Sequence, residues 1–134
     1  MSLHVSKLRG VGAEVRARLK VGGINYADQL LAAAGTPEKR RALREATGLD
    51  AAVVERLARR ADLARIRGIG AVFADMLEAV GVDHVEPLRR AAPAELHGRL
   101  RAFNRAERLA RRSPTPEEVE DWVRQARALP PALT

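Results

Sequence analysis

Cysteine is absent from this 134-residue sequence, and only four residues are aromatic: Tyr26, Phe73, Phe103 and Trp122. The lack of cysteine excludes disulfides and thiolate metal sites, and it suits a reducing compartment. With so few aromatic residues, the core must consist mainly of leucine, valine, isoleucine and alanine, with Trp122 expected as a buried anchor.

Long apolar segments are also missing. No run approaches the roughly 18 residues of a membrane span, and the opening residues MSLHVSKLRG lack the apolar region of a secretory signal. We therefore expect a soluble, cytoplasmic protein that does not insert into a membrane.

Basic residues outnumber acidic ones by 24 to 17, which gives a net charge of +7. This balance favours polyanionic partners such as nucleic acid or an acidic protein. Of the 24 basic residues 21 are arginine, a bias that a GC-rich coding sequence would produce without any function. The position of each arginine is therefore more informative than the total.

The hexamer RIRGIG at 65–70 is a near copy of KLRGVG at 7–12. Continuing this alignment for 25 positions gives seven identities without a gap. The sequence therefore predicts a single domain, 1–134, made of two repeats at about 1–62 and about 63–130, of which the second carries an insertion.

Both repeats have the pattern of helices. Val11, Val15 and Leu19 lie at helical spacing, and no segment alternates with the period of a strand. Glycine stops and capping residues then divide the chain. The predicted fold is all-α, with about eight short helices near 13–22, 26–34, 37–47, 51–64, 71–80, 84–91, 94–112 and 117–128.

In each repeat the hexamer joins the end of one helix to the start of the next. Its first glycine permits a tight turn with positive φ, and the aliphatic residue between the glycines is expected to face the core. The second glycine has no side chain to cover the backbone amides at the N-terminus of the following helix. A phosphate is favoured at those amides. The basic residues beside the two hexamers are Lys7, Arg9, Arg65 and Arg67.

The segments LRGVG and IRGIG, each followed by an amphipathic helix, resemble helix-hairpin-helix motifs. The doubled arrangement resembles a tandem helix-hairpin-helix domain, which is a compact, SAM-like all-α fold with pseudo-two-fold symmetry. The run ADLARIRGIGAVFADMLEAVGVDHVEPL, the preceding TGLD and the later VEDWVRQARAL look more specifically like an uncharacterised bacterial family, domain-of-unknown-function family 4332.

Many tandem helix-hairpin-helix domains bind DNA without sequence preference, through hairpin amides that contact backbone phosphates. The resemblance implies no cofactor, although some hairpins of this kind hold a monovalent cation. Carried onto this chain, it implies phosphate-facing glycines at Gly10, Gly12, Gly68 and Gly70 and buried hairpin aliphatics at Val11 and Ile69.

The sequence departs from the DNA-binding pattern just after each hairpin, where strong binders often carry lysine or arginine. Here those positions hold Ala13 and Glu14 in the first repeat and Ala71 and Val72 in the second. Local charge favours the first hairpin, because residues 1–35 carry a net charge of +3 and residues 63–98 a net charge of −1.

The insertion contains LHGRLRAFNRAERLARRS. Here Arg101, Arg105, Arg108 and Arg112 follow the spacing i, i+4, i+7 and i+11, so a continuous helix would place them on one face. This face is either a solvated surface or a secondary contact for an anionic partner.

Catalytic motifs are missing. His4, His84 and His97 are scattered, and the sequence has no metal-ligand spacing, nucleophile motif or P-loop. We therefore expect no enzyme, no metal and no small-molecule substrate. The leading hypothesis is a module that binds nucleic acid, with DNA favoured over RNA; the alternative is a protein–protein interaction module that docks an acidic partner or a second copy.

Overall fold

The computed structural model describes residues 3–134, which form eight α-helices and one short 3-10 helix. The all-α prediction is confirmed, since this range contains no strand beyond an isolated bridge between His4 and Tyr26. The chain divides into two compact units. Unit 1 is the chain up to Arg65 together with Pro131–Thr134, and unit 2 is Ile66–Pro130.

Unit 1 begins with the 3-10 helix Val5–Lys7 and continues with four α-helices: α1 (Ala13–Val21), α2 (Ala27–Ala34), α3 (Pro37–Thr47) and α4 (Ala51–Leu63). Its core is aliphatic, with Leu19 and Leu30 fully buried. Two backbone hydrogen bonds hold the segment before the first hairpin, from the Val5 amide to Asn25 O (3.0 Å) and from the Ala27 amide to Leu3 O (2.7 Å).

Unit 2 contains the other four α-helices: α5 (Ala71–Ala79), α6 (Val85–Arg90), α7 (Pro93–Glu107) and α8 (Pro116–Ala128). Trp122 of α8 is only 1% exposed, which confirms it as a core anchor. Its ring lies 5.6 Å from that of Phe73 on α5, and the remaining core is again mainly aliphatic.

Capping residues set most of these boundaries. The Thr36 side chain accepts from the Lys39 amide with proline at the first helical position of α3, and Thr115 forms a capping box with Glu118 at the start of α8. Because these signals are local, most helix boundaries lie within one or two residues of the predicted ones.

The prediction was wrong for α7, which ends at Glu107 rather than continuing to 112. Arg108 adopts a left-handed conformation (φ 51°) and stops the helix. The side chain of Asn104, only 8% exposed, accepts from the Ala110 amide (2.8 Å) and donates to the Ala110 carbonyl (3.2 Å). These two bonds give the chain after α7 an alternative to further helical turns.

The early end of α7 removes the continuous face of four arginines. Arg101 and Arg105 remain one turn apart on α7, whereas Arg108 is its C-cap and Arg112 lies beyond the helix. The Arg112 guanidinium is hydrogen-bonded to the Glu118 carboxylate (2.6 Å). The proposed secondary face is therefore reduced to an exposed pair on α7 and an exposed Arg108 beside it.

Replacing Asn104 with alanine is expected to lower the free energy of unfolding by about 2 kcal/mol, because the Ala110 amide and carbonyl lose their partner. Urea unfolding followed by circular dichroism measures the effect. Arg105→Ala, at the neighbouring exposed position, is the matched control and should change the stability by less than about 0.5 kcal/mol. Equal stability of the two variants would contradict the role assigned to Asn104.

Candidate functional site

The two hexamers form hairpins with the same backbone conformation. The first glycines have positive φ, 85° at Gly10 and 94° at Gly68, as the sequence predicted. The second glycines are extended, with φ −82° and ψ −174° at Gly12 and φ −76° and ψ 176° at Gly70. The similarity of the repeats therefore extends from the sequence to the shape of the turn.

The second glycine of each hairpin is the N-cap of the next helix, α1 or α5, and no side chain caps either helix. A β-carbon built on Gly12 or Gly70 meets no atom within 4 Å. The first amides of a helix have no intrahelical acceptor and carry partial positive charge. Both hairpins therefore end in an uncapped helix N-terminus with open space in front of it.

Each hairpin is also held by the last helix of its own unit, at the residue before the first glycine. In unit 1, Nη1 of Arg60 on α4 donates to the Arg9 carbonyl (2.6 Å). In unit 2, the side-chain amide of Gln125 on α8 accepts from the Arg67 amide (2.8 Å) and donates to the Arg67 carbonyl (2.9 Å). These bonds fix the turns in one conformation.

Sequence reasoning missed both Arg60 and Gln125. They lie 51 and 58 positions away from the backbone groups that they bind, and a polar residue on an amphipathic helix gives no local sign of such a contact. Nη1 of Arg60 also lies 2.7 Å from the place where a β-carbon on Gly10 would be. A third cation, besides Lys7 and Arg9, is therefore present at the first hairpin.

The first hairpin has exposed residues on its solvent side and buried or partly buried aliphatic residues beneath them. Lys7, Arg9 and Gly10 are exposed, while Leu8 is buried and Val11 packs partly buried against the core. Val11 is thus less deeply buried than the sequence predicted, because the deeper aliphatic position is that of Leu8.

Glu14, whose charge opposes a phosphate at this hairpin, is engaged along α1. Its carboxylate accepts from Nε (3.3 Å) and Nη2 (3.2 Å) of Arg18, and Nη1 of Arg18 donates to the Thr47 carbonyl (3.1 Å). Glu14 lies in the first turn of α1, and its negative charge is partly neutralised by Arg18 one turn further along the helix.

The second hairpin has fewer exposed basic side chains than the first. Arg65 is ion-paired with the buried Asp62 at 2.9 Å, and its side chain is only 18% exposed. Arg67 is exposed, Ile69 is half-buried, and Ile66 takes the deeply buried position at 2% exposure. Of the two basic residues predicted to contact phosphate here, only Arg67 therefore presents its side chain to solvent.

Arg112 and Glu118 form an ion pair near the start of α8. The hydrogen bond from Arg112, together with that from the Thr115 amide, lowers the pKa of Glu118 from its usual 4.5 to about 2. The same bond raises the pKa of Arg112, whose guanidinium also lies 5.2 Å from the centre of the Phe73 ring. Arg112 is thus engaged within unit 2 rather than with a neighbour on α7.

The Glu118→Gln variant is expected to be less stable than wild type near neutral pH and equally stable in acid. Because the folded pKa of about 2 lies below the unfolded value near 4.5, the carboxylate stabilises the fold above pH 4.5 and loses this effect as the pH falls towards 2. Urea unfolding at several pH values tests this. A stability difference that stays constant from neutral pH to about pH 2 would contradict it.

Residues 3–134 contain no group of three histidine, aspartate or glutamate side chains placed to hold a metal ion. Within the same range, no helix has both the length and the apolar character needed to cross a bilayer.

Comparison with known proteins gives no significant match to a curated protein or to a solved structure. The family model "Domain of unknown function (DUF4332)" matches residues 9–129, which confirms the resemblance carried by the second hairpin and its flanking helices: the chain belongs to the DUF4332 family.

Proposed function

We propose that this protein is a non-enzymatic module that binds nucleic acid without sequence preference, and that the first hairpin is its main contact. One observation supports this more than any other. Two hairpins far apart in the sequence have the same turn, each ends at an uncapped helix N-terminus, and the first is surrounded by Lys7, Arg9 and Arg60.

This geometry suits a phosphate. An anion in front of Gly12 would accept hydrogen bonds from backbone amides and gain from the helix dipole, while the flanking cations displace its counterions. Backbone amides and phosphates carry no sequence information. A protein that binds in this way is expected to show similar affinity for unrelated sequences.

Duplex DNA is the preferred ligand in this proposal. Sequence-specific RNA binding and single-strand binding commonly use exposed aromatic side chains on which bases stack. Within residues 3–134, Tyr26 is the one aromatic side chain that is exposed; Phe73 and Phe103 are half-buried and Trp122 is buried. Such a surface fits the backbone of a duplex better than unpaired bases.

Duplex DNA is expected to bind with an affinity that depends steeply on salt. If Lys7, Arg9 and Arg60 each neutralise one phosphate, log K falls against log salt with a slope of about −2.7 or steeper, which lowers the affinity roughly 40-fold between about 50 and 200 mM. Fluorescence anisotropy with two labelled duplexes of unrelated sequence tests this. Absence of binding at about 50 mM salt would rule out the proposed function.

The segment after α7 supports a second candidate function, the docking of an acidic protein. Leu109 is 45% exposed and is flanked closely by exposed Arg108 and Arg111, and an apolar side chain among cations suits an acidic, partly apolar peptide. A partner whose capture survives nuclease treatment and is lost in Arg108→Glu/Arg111→Glu would support this. Capture that persists in the variant would exclude this surface.

A further inference from the structure

One side of α1 continues the basic surface of the first hairpin. It consists of Ala13, Arg16, Ala17 and Lys20, all of them exposed, and we refer to it as the α1 face. Arg16 and Lys20 are one turn apart, and the Arg16 amide donates to the carbonyl of the N-cap Gly12 (2.9 Å). The face therefore begins directly below the uncapped N-terminus of the helix.

The α1 face carries positive charge without a compensating acid. The side chains of Arg16 and Lys20 make no ion pair or hydrogen bond with any residue in the range 3–134. The acidic residue of α1, Glu14, is bound to Arg18, which lies two positions from Arg16 and so on another side of the helix. Short Ala13 and Ala17 side chains leave room for a bulky ligand to approach the helix.

The duplicated helix provides a comparison within the same chain. Like α1, α5 has nine residues and starts directly after the second glycine of its hairpin. At the positions that match Ala17 and Lys20 it carries Asp75 and Glu78. A general arginine bias of the coding sequence would affect both copies, whereas α5 carries these two acids and no basic residue.

We propose that the DNA backbone bound at the first hairpin continues along the α1 face, where Arg16 and Lys20 contact further phosphates. This inference rests on the proposed function of the first hairpin. It makes unit 1 the DNA-binding half of the protein, because α5 carries no basic residue with which to continue such a surface in unit 2.

The double variant Arg16→Gln/Lys20→Gln tests this proposal in a salt titration with labelled duplex DNA. With two additional contacts the wild-type slope is about −4.5, and the variant should return to about −2.7 with an affinity roughly 100-fold lower at about 50 mM salt. The matched control is Lys39→Gln/Arg41→Gln. This pair is also one lysine and one arginine, both are exposed on α3 of the same unit, and their replacement changes the net charge equally.

Each possible outcome of these measurements either supports or overturns the proposal. A large loss in the α1 variant and a small one in the α3 control support it. Equal losses in both pairs mean that only net charge matters, which overturns it. If the α1 variant binds like wild type while a Gly12→Asp variant binds at least roughly tenfold more weakly, the α1 face is excluded and the hairpin function remains. If wild type binds no DNA, both proposals fail. Unchanged helical circular dichroism confirms that each variant is folded.

Discussion

Replacing Gly12 with aspartate is expected to weaken DNA binding at least roughly tenfold while leaving the fold at least as stable as wild type. Gly12 is the N-cap of α1 with an ordinary extended φ of −82°, and a β-carbon there meets no atom within 4 Å. Aspartate is among the best N-cap residues, because its carboxylate accepts from the first amides of the helix. The new side chain therefore occupies the proposed phosphate position with a negative charge.

The Gly12→Asp substitution is expected to raise the stability and to lower the DNA affinity, so an effect on binding can be distinguished from an effect on folding. Aspartate should raise the free energy of unfolding by a few tenths of a kcal/mol relative to glycine, while the affinity for duplex DNA at about 50 mM salt falls at least roughly tenfold. Urea unfolding and fluorescence anisotropy measure the two quantities on the same samples.

Gly12→Ala is the matched control. Alanine is a poor N-cap and should lower the stability by about 0.5 to 1 kcal/mol, but it neither blocks the amides nor adds charge, so binding should be kept. Equal affinities of the aspartate and alanine variants would show that phosphate does not bind in front of Gly12. Gly10 is unsuitable for this experiment because its φ of 85° and the nearby Arg60 make any side chain strained.

Replacing Trp122 with alanine is expected to lower the free energy of unfolding by about 3 to 5 kcal/mol. Trp122 is 1% exposed and packs against Phe73, and its Nε1 lies 3.4 Å from the position of a β-carbon on Gly68. Its removal leaves a cavity in the core of unit 2, beneath the second hairpin. Small domains have total stabilities of about 5 to 15 kcal/mol, so the loss is a large fraction of the whole.

Urea unfolding followed by far-ultraviolet circular dichroism measures this loss without relying on tryptophan fluorescence. Tyr26→Ala is the comparison, because Tyr26 is an aromatic residue that is 46% exposed, and its replacement should cost much less. A change below about 1 kcal/mol in the Trp122 variant would mean that this side chain does not anchor the core.

The features that could be predicted from the sequence are local ones. A threonine followed by proline, as at Thr36 and Thr115, marks a helix start through contacts within four residues. The positive φ of Gly10 and Gly68 could likewise be expected from the tight turn that glycine permits. Because the unit is duplicated, each of these signals occurs twice in the sequence.

Contacts across the fold could not be predicted. The bonds from Arg60 and Gln125 to the hairpin carbonyls depend on how the last helix of each unit packs against the turn. The ion pair of Arg65 with Asp62 needs a buried carboxylate that the sequence shows only as one more polar residue on α4. The prediction from sequence spacing alone therefore counted more solvent-facing basic side chains at the second hairpin than the structure has.

The end of α7 illustrates the same limit. Helical spacing of arginines and leucines continues past Glu107, and no glycine or proline interrupts it before Ser113. The helix nevertheless stops because the buried Asn104 side chain binds the backbone of Ala110. An asparagine within a helical pattern is common on exposed faces, so its sequence position does not show that it acts as a buried anchor.

The most direct test of the account is a nuclear magnetic resonance titration of the ¹⁵N-labelled protein with a short DNA duplex at low salt. We expect the largest amide shifts at the first hairpin and the start of α1, from Gly10 to Glu14, and we expect them to shrink as salt is added. Shifts that cluster elsewhere while these amides remain unchanged, or no shifts at all, would contradict the claim that the hairpin amides bind phosphate.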